Sequence, residues 1–571
     1  MDHYIFLQIT IILSVVVALA FVVRLLKQPL LVAYMLAGII CGPLFFNLLH
    51  NEADIYHTFS NLGVALLLFT VGLELNFSYL KKIGRTSLIV ALWQFIINFS
   101  LIFAFTNYIF GLSLVASIFL ALASSFSSTI VVLKLLNDKR DEESVYGRYT
   151  IGVMLIQDLI SVIILFALSI FYPSESTSFS LVNVFRLLGI SGAIILSYKF
   201  ILPLILRRIA SSGEFLFIFT VAWCFILSAL FLWGGLSLEL GAMIAGITLG
   251  TSKYQPEIVS RVKPLRDFFI VLFFVVLGSM ADFSNPVAVL LPAILLSLFV
   301  IIAKPLMLYV IFRCRKFTRR NSFLSSLSAA PLSEFGFIIL LAAVSAQVVS
   351  SIELSIFTVA TLITIFVSSY LINYNSQIYN FLLPFFLIFG RDKYIQKEAT
   401  RESFAAMVFG YHRTGWKVGN ALKEAGLSFA AVDFNPANVA RLKNQDIKTF
   451  FGDISDMEFL KVLPLDKTKI IISTVHSPED QLVLLSYLKA KNRKMTIICT
   501  LYDKKYLTKM YEAGADYVML PHLLSGTWIS GLIAKKSLSN KRTLQKLRQV
   551  QARELEGSIE HHLINKLVNF S

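Results

Sequence analysis

Asp158 stands beside Gln157 in the middle of Ile151-Gly-Val-Met-Leu-Ile-Gln-Asp-Leu-Ile-Ser-Val-Ile-Ile-Leu165, a stretch with no other ionisable side chain. A carboxylate in a bilayer core costs at least about 2.5–3.5 kcal/mol on insertion scales, so an ionisable group there marks a functional site by default. The chemistry it offers is the carriage of a cation, a proton, or both. Two further stretches place polar groups inside apolar segments. Ala123-Ser-Ser-Phe-Ser-Ser-Thr129 is a run of hydroxyls, and Ser326-Leu-Ser-Ala-Ala-Pro-Leu-Ser-Glu-Phe-Gly336 adds Pro331, Gly336 and the acid Glu334. Proline and glycine interrupt a helical ladder, and serines satisfy the backbone groups this frees. Interruptions in corresponding halves of a membrane protein point to a transporter with inverted repeats and an ion site between broken helices. That makes Ser127, Ser128, Thr129, Gln157, Asp158 and Glu334 the candidate transport residues.

Depth arithmetic adds Lys304. Asp158 lies about 13 Å into its span and Lys304 about 12 Å from the same side, at 1.5 Å per residue. The two could meet, and pairing is the cheaper arrangement for two buried charges. Glu74 and Arg186 sit nearer span ends, where a long side chain reaches the interface, and read as structural or gating groups.

The elements that position these residues follow from composition. Of 571 residues 56% are hydrophobic and 15% charged, and the apolar residues gather in windows long enough to cross a bilayer. The chain is a polytopic membrane protein. Spans are predicted near 4–23, 29–46, 58–77, 86–106, 112–136, 149–170, 182–205, 214–233, 236–251, 265–281, 286–312, 321–346 and 352–376, thirteen in all. The connections near 47–57, 107–111, 171–181, 234–235, 282–285 and 347–351 hold no Lys or Arg, while Lys and Arg residues cluster at the alternate ones. The positive-inside rule therefore places the N-terminus outside and the C-terminus inside, an assignment only an odd count allows. The first stretch, from Tyr4 to Val23, lacks a basic n-region and a cleavage site and reads as a retained span. Cys41, Cys224, Cys314 and Cys499 show no metal-ligand spacing and read as small apolar packers.

After residue 376 the composition changes. Residues 377–402 read as a linker helix, and 403–522 as a soluble α/β domain. Its predicted strands are Phe404–Phe409, Phe429–Asp433, Ile470–Thr474 and Thr496–Thr500, with a helix from Trp416 to Glu424. Strands alternating with helices indicate a parallel, doubly wound, Rossmann-like sheet. Residues 523–571 form a basic helical tail carrying Lys535, Lys536, Lys541, Arg542, Lys546, Arg548 and Arg553, suited to anionic lipid headgroups rather than nucleic acid.

These motifs in this order carry a resemblance. Gln28-Pro-Leu-Leu-Val-Ala-Tyr-Met-Leu-Ala-Gly-Ile-Ile-Cys-Gly-Pro43, Leu66-Leu-Leu-Phe-Thr-Val-Gly-Leu-Glu-Leu75, Gln157-Asp158, Gly241-Ala-Met-Ile-Ala-Gly246 and Phe273-Phe-Val-Val-Leu-Gly278 resemble the membrane motifs of the cation:proton antiporter superfamily, its Kef-type potassium branch especially. The soluble region is similar to the TrkA-N, or RCK, domain. The resemblance implies a thirteen-span, homodimeric inner-membrane antiporter in which Asp158 binds a cation and a proton in alternation, with Lys304 as its basic partner. Gln157 in place of a second acid resembles the potassium-type members. One carboxylate releases one proton per monovalent cation, so exchange would be electroneutral.

The sequence departs from that pattern twice. Where glutathione-regulated Kef proteins have an acidic loop, Ser252–Asp267 is net basic, which argues against glutathione gating. The expected Gly-x-Gly-x-x-Gly appears as Gly410-Tyr411-His412-Arg413-Thr414-Gly415, with a histidine where a second glycine would admit a pyrophosphate. AMP or another adenine nucleotide fits this loop better than NAD(H), with Asp433 on the ribose and Asp453 in the next family motif. Rival functions are a sodium:proton or less selective exchanger and a ligand-gated potassium channel. No Thr-Val-Gly-Tyr-Gly type filter occurs in the chain, which disfavours the channel. No catalytic constellation accompanies the Rossmann-like domain, so the chain does not read as an enzyme.

Overall fold

The structure is a computed structural model and describes residues 2–571 apart from 49–52, 75–76, 172–188, 389–402, 491–494, nearly all of 535–571 and scattered single positions that include 413 and 453. Arg186, Arg413, Asp453 and the tail's basic residues lie outside the described residues. The chain divides into two compact units, one helical and one around a parallel sheet.

The helical unit runs α1 (Asp2–Leu25), α2 (Leu30–Cys41), α3 (Ala53–Glu74), α4 (Phe77–Tyr108), α5 (Leu114–Ser125), α6 (Thr129–Lys139), α7 (Val145–Phe171), α8 (Leu202–Ile209), α9 (Gly213–Trp233), α10 (Leu238–Gly250), α11 (Gln255–Ser279), α12 (Pro286–Cys314), α13 (Arg319–Leu327), α14 (Glu334–Ser345), α15 (Ser351–Asn373) and α16 (Asn375–Ile388). Six described helices are each long and apolar enough to cross a membrane, and five shorter apolar helices accompany them. Large apolar side chains such as Phe21, Trp93, Leu291 and Ile302 are exposed. In water that would be a liability; toward lipid it is the surface required. The two predicted interruptions divide their segments, giving α5 and α6 on one side and α13 and α14 on the other. Helix α11 starts ten residues before the predicted span, because its polar first turns, with the Arg261–Glu257 pair at 3.0 Å, continue the helix where hydropathy no longer reports it.

Four glycines show how the unit is built. A Cβ on Gly38 would lie 2.1 Å from the carbonyl oxygen of Val275 and 2.9 Å from the Gly278 Cα, and one on Gly246 would lie 2.1 Å from the oxygen of Phe69 and 3.0 Å from the Gly72 Cα. Val275 and Phe69 each precede the facing glycine by three residues. The α2–α11 crossing and the α10–α3 crossing are thus the same contact made twice, with Gly38 equivalent to Gly246 and Gly278 to Gly72. Only a residue without a side chain permits backbones to approach so closely. The repeats seen in the sequence as paired interruptions are also paired in packing.

In the second unit β1 (Ala406–Phe409), β2 (Phe429–Asp433), β3 (Thr449–Phe451), β4 (Ile470–Ser473), β5 (Thr496–Thr500) and β6 (Tyr517–Met519) form one parallel sheet in the order β3-β2-β1-β4-β5-β6. Ala406 of β1 is in register with Phe429 on one side and Ile470 on the other. Apolar clusters cover both faces, one around Met407, Ile471 and Leu484 and the other around Val408, Ala431 and Leu442. The edge strands β3 and β6 are three residues each, too short to carry a periodicity in sequence. Cys41, Cys224 and Cys499 are buried and Cys314 is exposed.

Candidate functional site

The two breaks face each other. Ser127 and Leu332 form an antiparallel bridge, and the Ser128 amide donates to the Pro331 carbonyl at 3.3 Å. The crossing leaves two helix N-termini, at Thr129 and Glu334, and two C-termini, after Ser125 and Leu327. Backbone at such ends lacks helical partners and carries partial charge, positive at the amino end and negative at the carboxyl end.

Side chains fill these roles. Gln157 Oε1 accepts the Ser127 amide at 3.3 Å, and Thr364 Oγ1 accepts the Leu332 amide, also at 3.3 Å. Ser127 Oγ donates to the Ala329 carbonyl at 3.0 Å. Ser128 Oγ donates to Glu334 Oε2 at 2.9 Å and accepts the Val131 amide at 3.3 Å. Thr129 Oγ1 donates to Asp158 Oδ1 at 3.0 Å. Ser127, Ser128, Thr129, Gln157, Asp158 and Glu334 are therefore brought to one place, and all are buried.

Lys304 departs from expectation. Its ammonium donates to the carbonyls of Phe126 at 2.7 Å and Ser124 at 3.2 Å, and no ion pair with Asp158 forms among the described residues. The reason is local. The carboxyl end of α5 presents unsatisfied carbonyls at the negative end of a helix, and a buried ammonium there finds acceptors without a carboxylate. Asp158 consequently keeps a threonine hydroxyl as its partner instead of a charge.

A cavity of about 640 Å³ reaches Asp158, Thr129 and Glu334 and opens past Glu74, Asp138, Glu142, Asp267, Lys134, Lys263 and Arg266. Glu74 ends α3 on this wall, as its position near a span end suggests. Arg266 pairs with Asp267 at 2.8 Å and reaches Thr70 Oγ1 at 3.4 Å. Asp158 thus lies on the wall of a cavity large enough for a hydrated monovalent ion, with the Thr129 hydroxyl and the Glu334 carboxyl group on the same wall. The Gln157 Nε2 atom is buried without a partner.

Sequence reasoning missed Thr364. The signal was present as hydroxyl residues recurring along α15 at Thr361, Thr364 and Ser368, all buried, which share one helical face turned inward.

In the second unit the loop 410–415 lies at the ends of β1 and β4, where the strand order reverses. Gly410 has φ +81°, a left-handed conformation that favours glycine. A Cβ on Gly415 would fall 2.0 Å from the Gly410 oxygen, so the turn needs both glycines. His412 supplies its carbonyl to the Gly415 amide at 2.6 Å, and Thr414 caps the following helix without a side-chain bond. Asp433 Oδ2 accepts the Tyr411 amide at 3.0 Å and Asn438 Nδ2 at 3.3 Å. Tyr411 itself is buried, which pushes its hydroxyl above the usual range against the opposing effect of Arg441.

Comparison with known proteins accords with this geometry. Residues 11–373 match the family described as Sodium/hydrogen exchanger, transmembrane, and residues 406–521 match the TrkA-N domain. The chain is 25% identical over 523 residues to the glutathione-regulated potassium-efflux system protein KefC of Enterobacter sp. (strain 638), across 90% of this chain and 82% of that one. KefC of Escherichia coli O45:K1 (strain S88 / ExPEC) is 24% identical over 495 residues, covering 85% and 77%. In fold, the chain is similar to the sodium proton antiporter MjNhaP1 from Methanocaldococcus jannaschii, with TM-score 0.50 and 17% identity over 66% of this chain and 99% of that one. A match spanning residues 11–373, laid over two crossed helix breaks with a buried carboxylate between them, makes this chain a member of the sodium/hydrogen exchanger family, a cation:proton antiporter followed by a TrkA-N domain.

Proposed function

We propose that the protein exchanges potassium for protons, one for one, through alternate occupation of Asp158, and that the TrkA-N domain gates this exchange in response to an adenine nucleotide. The carrying observation is that Asp158 lines the 640 Å³ cavity while its described hydrogen-bond partner is the neutral Thr129 hydroxyl. A proton or a cation is then what balances its charge. Gln157 offers a neutral oxygen and no second negative charge, which suits a weakly hydrated monovalent cation and an electroneutral cycle. Ser127, Ser128 and Glu334 hold the break in shape, and Lys304 neutralises the carboxyl end of α5. The potassium assignment is supported by the KefC relatives.

The protein works as a homodimer in the inner membrane, with its N-terminus outside, its TrkA-N domain cytoplasmic and its basic tail against anionic lipid. The ligand loop favours AMP or a related mononucleotide over NAD(H): His412 stands where a pyrophosphate needs a glycine, and the Tyr411 amide is already taken by Asp433. Ligand contacts fall to Gly410, Tyr411, His412, Arg413, Thr414, Gly415, Asp433 and Asp453. The test is transport in proteoliposomes under a pH gradient with potassium, sodium or rubidium. Potassium-dependent proton movement that sodium does not support is expected, and equal or greater activity with sodium favours the sodium:proton reading.

A further inference from the structure

A second cavity, of about 340 Å³, lies at the other end of the helical unit and does not reach Asp158. It is lined by the middle of α3, the amino end of α10, the carboxyl ends of α11 and α14, and side chains of α5 and α7. Its walls are related to those of the larger cavity by the repeat that the glycine crossings define. Counting from Gly72 and Gly278, Ser60 is equivalent to Arg266, Asn61 to Asp267 and Met280 to Glu74. Counting from Gly38 and Gly246, Ser237 is equivalent to Pro29 and Glu239 to Leu31. Counting from the bridged pair Ser127 and Leu332, Ala343 is equivalent to Asp138. In each pair the first residue lines the small cavity and the second the large one. The two cavities therefore occupy equivalent places in the two repeats, at opposite ends of the helical unit.

The charges do not follow the repeat. The large mouth holds Glu74, Asp138, Glu142 and Asp267 with Lys134, Lys263 and Arg266, whereas among the residues lining the small cavity Glu239 alone is charged. Its equivalent, Leu31, is apolar, so the carboxylate is an addition specific to that face. It stands half-buried with the hydroxyls of Ser60 and Ser237 and the amide of Asn61 in the same wall. That set of oxygens suits a monovalent cation being rehydrated.

We propose that this cavity is the second vestibule of the transport cycle and that Glu239 is a cation-binding residue within it, setting the affinity for the transported cation on the face remote from the basic connections. The inference rests on the reading of Asp158 as the exchange site. The bland role for Glu239 is to complement the amino end of α10, where Ser237 already accepts the Leu240 amide at 3.4 Å; that role affects stability and has no sidedness.

The experiment measures exchange in right-side-out and everted membrane vesicles as a function of potassium on each side. In Glu239→Gln the potassium KM is expected to rise roughly threefold to tenfold from the face carrying the small cavity. It should stay unchanged from the other face, and Glu239→Asp should restore it. A second measurement stands even if Glu239→Gln folds poorly. In a Cys314→Ser background, Ala343→Cys should react with a membrane-impermeant thiol reagent from that face only, and faster during turnover. A KM that is unchanged, or shifted equally from both faces, or labelling of Ala343→Cys from the opposite face, overturns the proposal. If Asp158→Asn abolishes exchange while Glu239→Gln shows no sided effect, the vestibule fails and the Asp158 reading survives. The two failures are therefore distinguishable.

Discussion

Thr129 Oγ1 donates to Asp158 Oδ1 at 3.0 Å, and Thr129 is the first residue of the half-helix that follows the break. The hydroxyl thereby ties the exchanging carboxylate to the amino end of α6, so the carboxylate and the break move together.

Removing that hydroxyl should weaken cation binding without dismantling the site. A hydrogen bond to a charged group contributes about 1.5–3 kcal/mol, so Thr129→Val is expected to raise the cation KM about tenfold, and Thr129→Ser to recover most of it. The measurement is initial exchange rate against cation concentration. Equal KM values in Thr129→Val and the parent would remove the hydroxyl from the binding set.

Lys304 gives a double-mutant test. Because its ammonium holds the Phe126 and Ser124 carbonyls, Lys304→Met leaves buried acceptors unsatisfied and should cost about 1–3 kcal/mol of stability. Were it instead the ion-pair partner of Asp158, Asp158→Asn would relieve the unpaired charge. The structure predicts the two thermal shifts to be nearly additive, and a coupling above about 1 kcal/mol would restore the direct pair.

The repeated glycine crossing makes a matched prediction. Gly38→Ala and Gly246→Ala each drive a methyl to 2.1 Å from a backbone oxygen, and overpacking of this kind costs about 1–3 kcal/mol. Both should lower the unfolding temperature in detergent by comparable amounts. A large loss in one and none in the other would break the equivalence on which the repeat rests.

Much of this was legible in the sequence because it was written in long-range hydropathy and in single conspicuous residues. Asp158 stands alone in its stretch, Pro331 and Gly336 mark a break, and Gly410 and Gly415 mark a turn. For Lys304 the sequence suggests Asp158 as a partner, whereas its ammonium donates to the Ser124 and Phe126 carbonyls. A one-dimensional reading counts charges and does not see that Ser124 and Phe126 turn free carbonyls toward it. Thr364 was missed because a hydroxyl in a span is ordinary until the amide it accepts is known. The short strands Thr449–Phe451 and Tyr517–Met519 owe their existence to neighbours in the sheet, which no local pattern records.

For the TrkA-N domain, the loop geometry predicts that full-length protein in detergent binds AMP more tightly than NAD. Asp433→Ala should weaken AMP binding about tenfold, through loss of a ribose acceptor and of the Tyr411 amide contact. Calorimetry decides it. Tight NAD binding indifferent to Asp433→Ala would show that His412 imposes no barrier and that the ribose lies elsewhere.

The central claim, that one carboxylate carries both the proton and the cation, is tested most directly by potassium-dependent proton flux in proteoliposomes containing the parent protein or Asp158→Asn, with the membrane potential clamped at several values. The account predicts flux in the parent that is independent of voltage, and none in Asp158→Asn despite normal insertion. Exchange at the parent rate in Asp158→Asn, or a parent rate that follows the imposed voltage at fixed ion gradients, would contradict it.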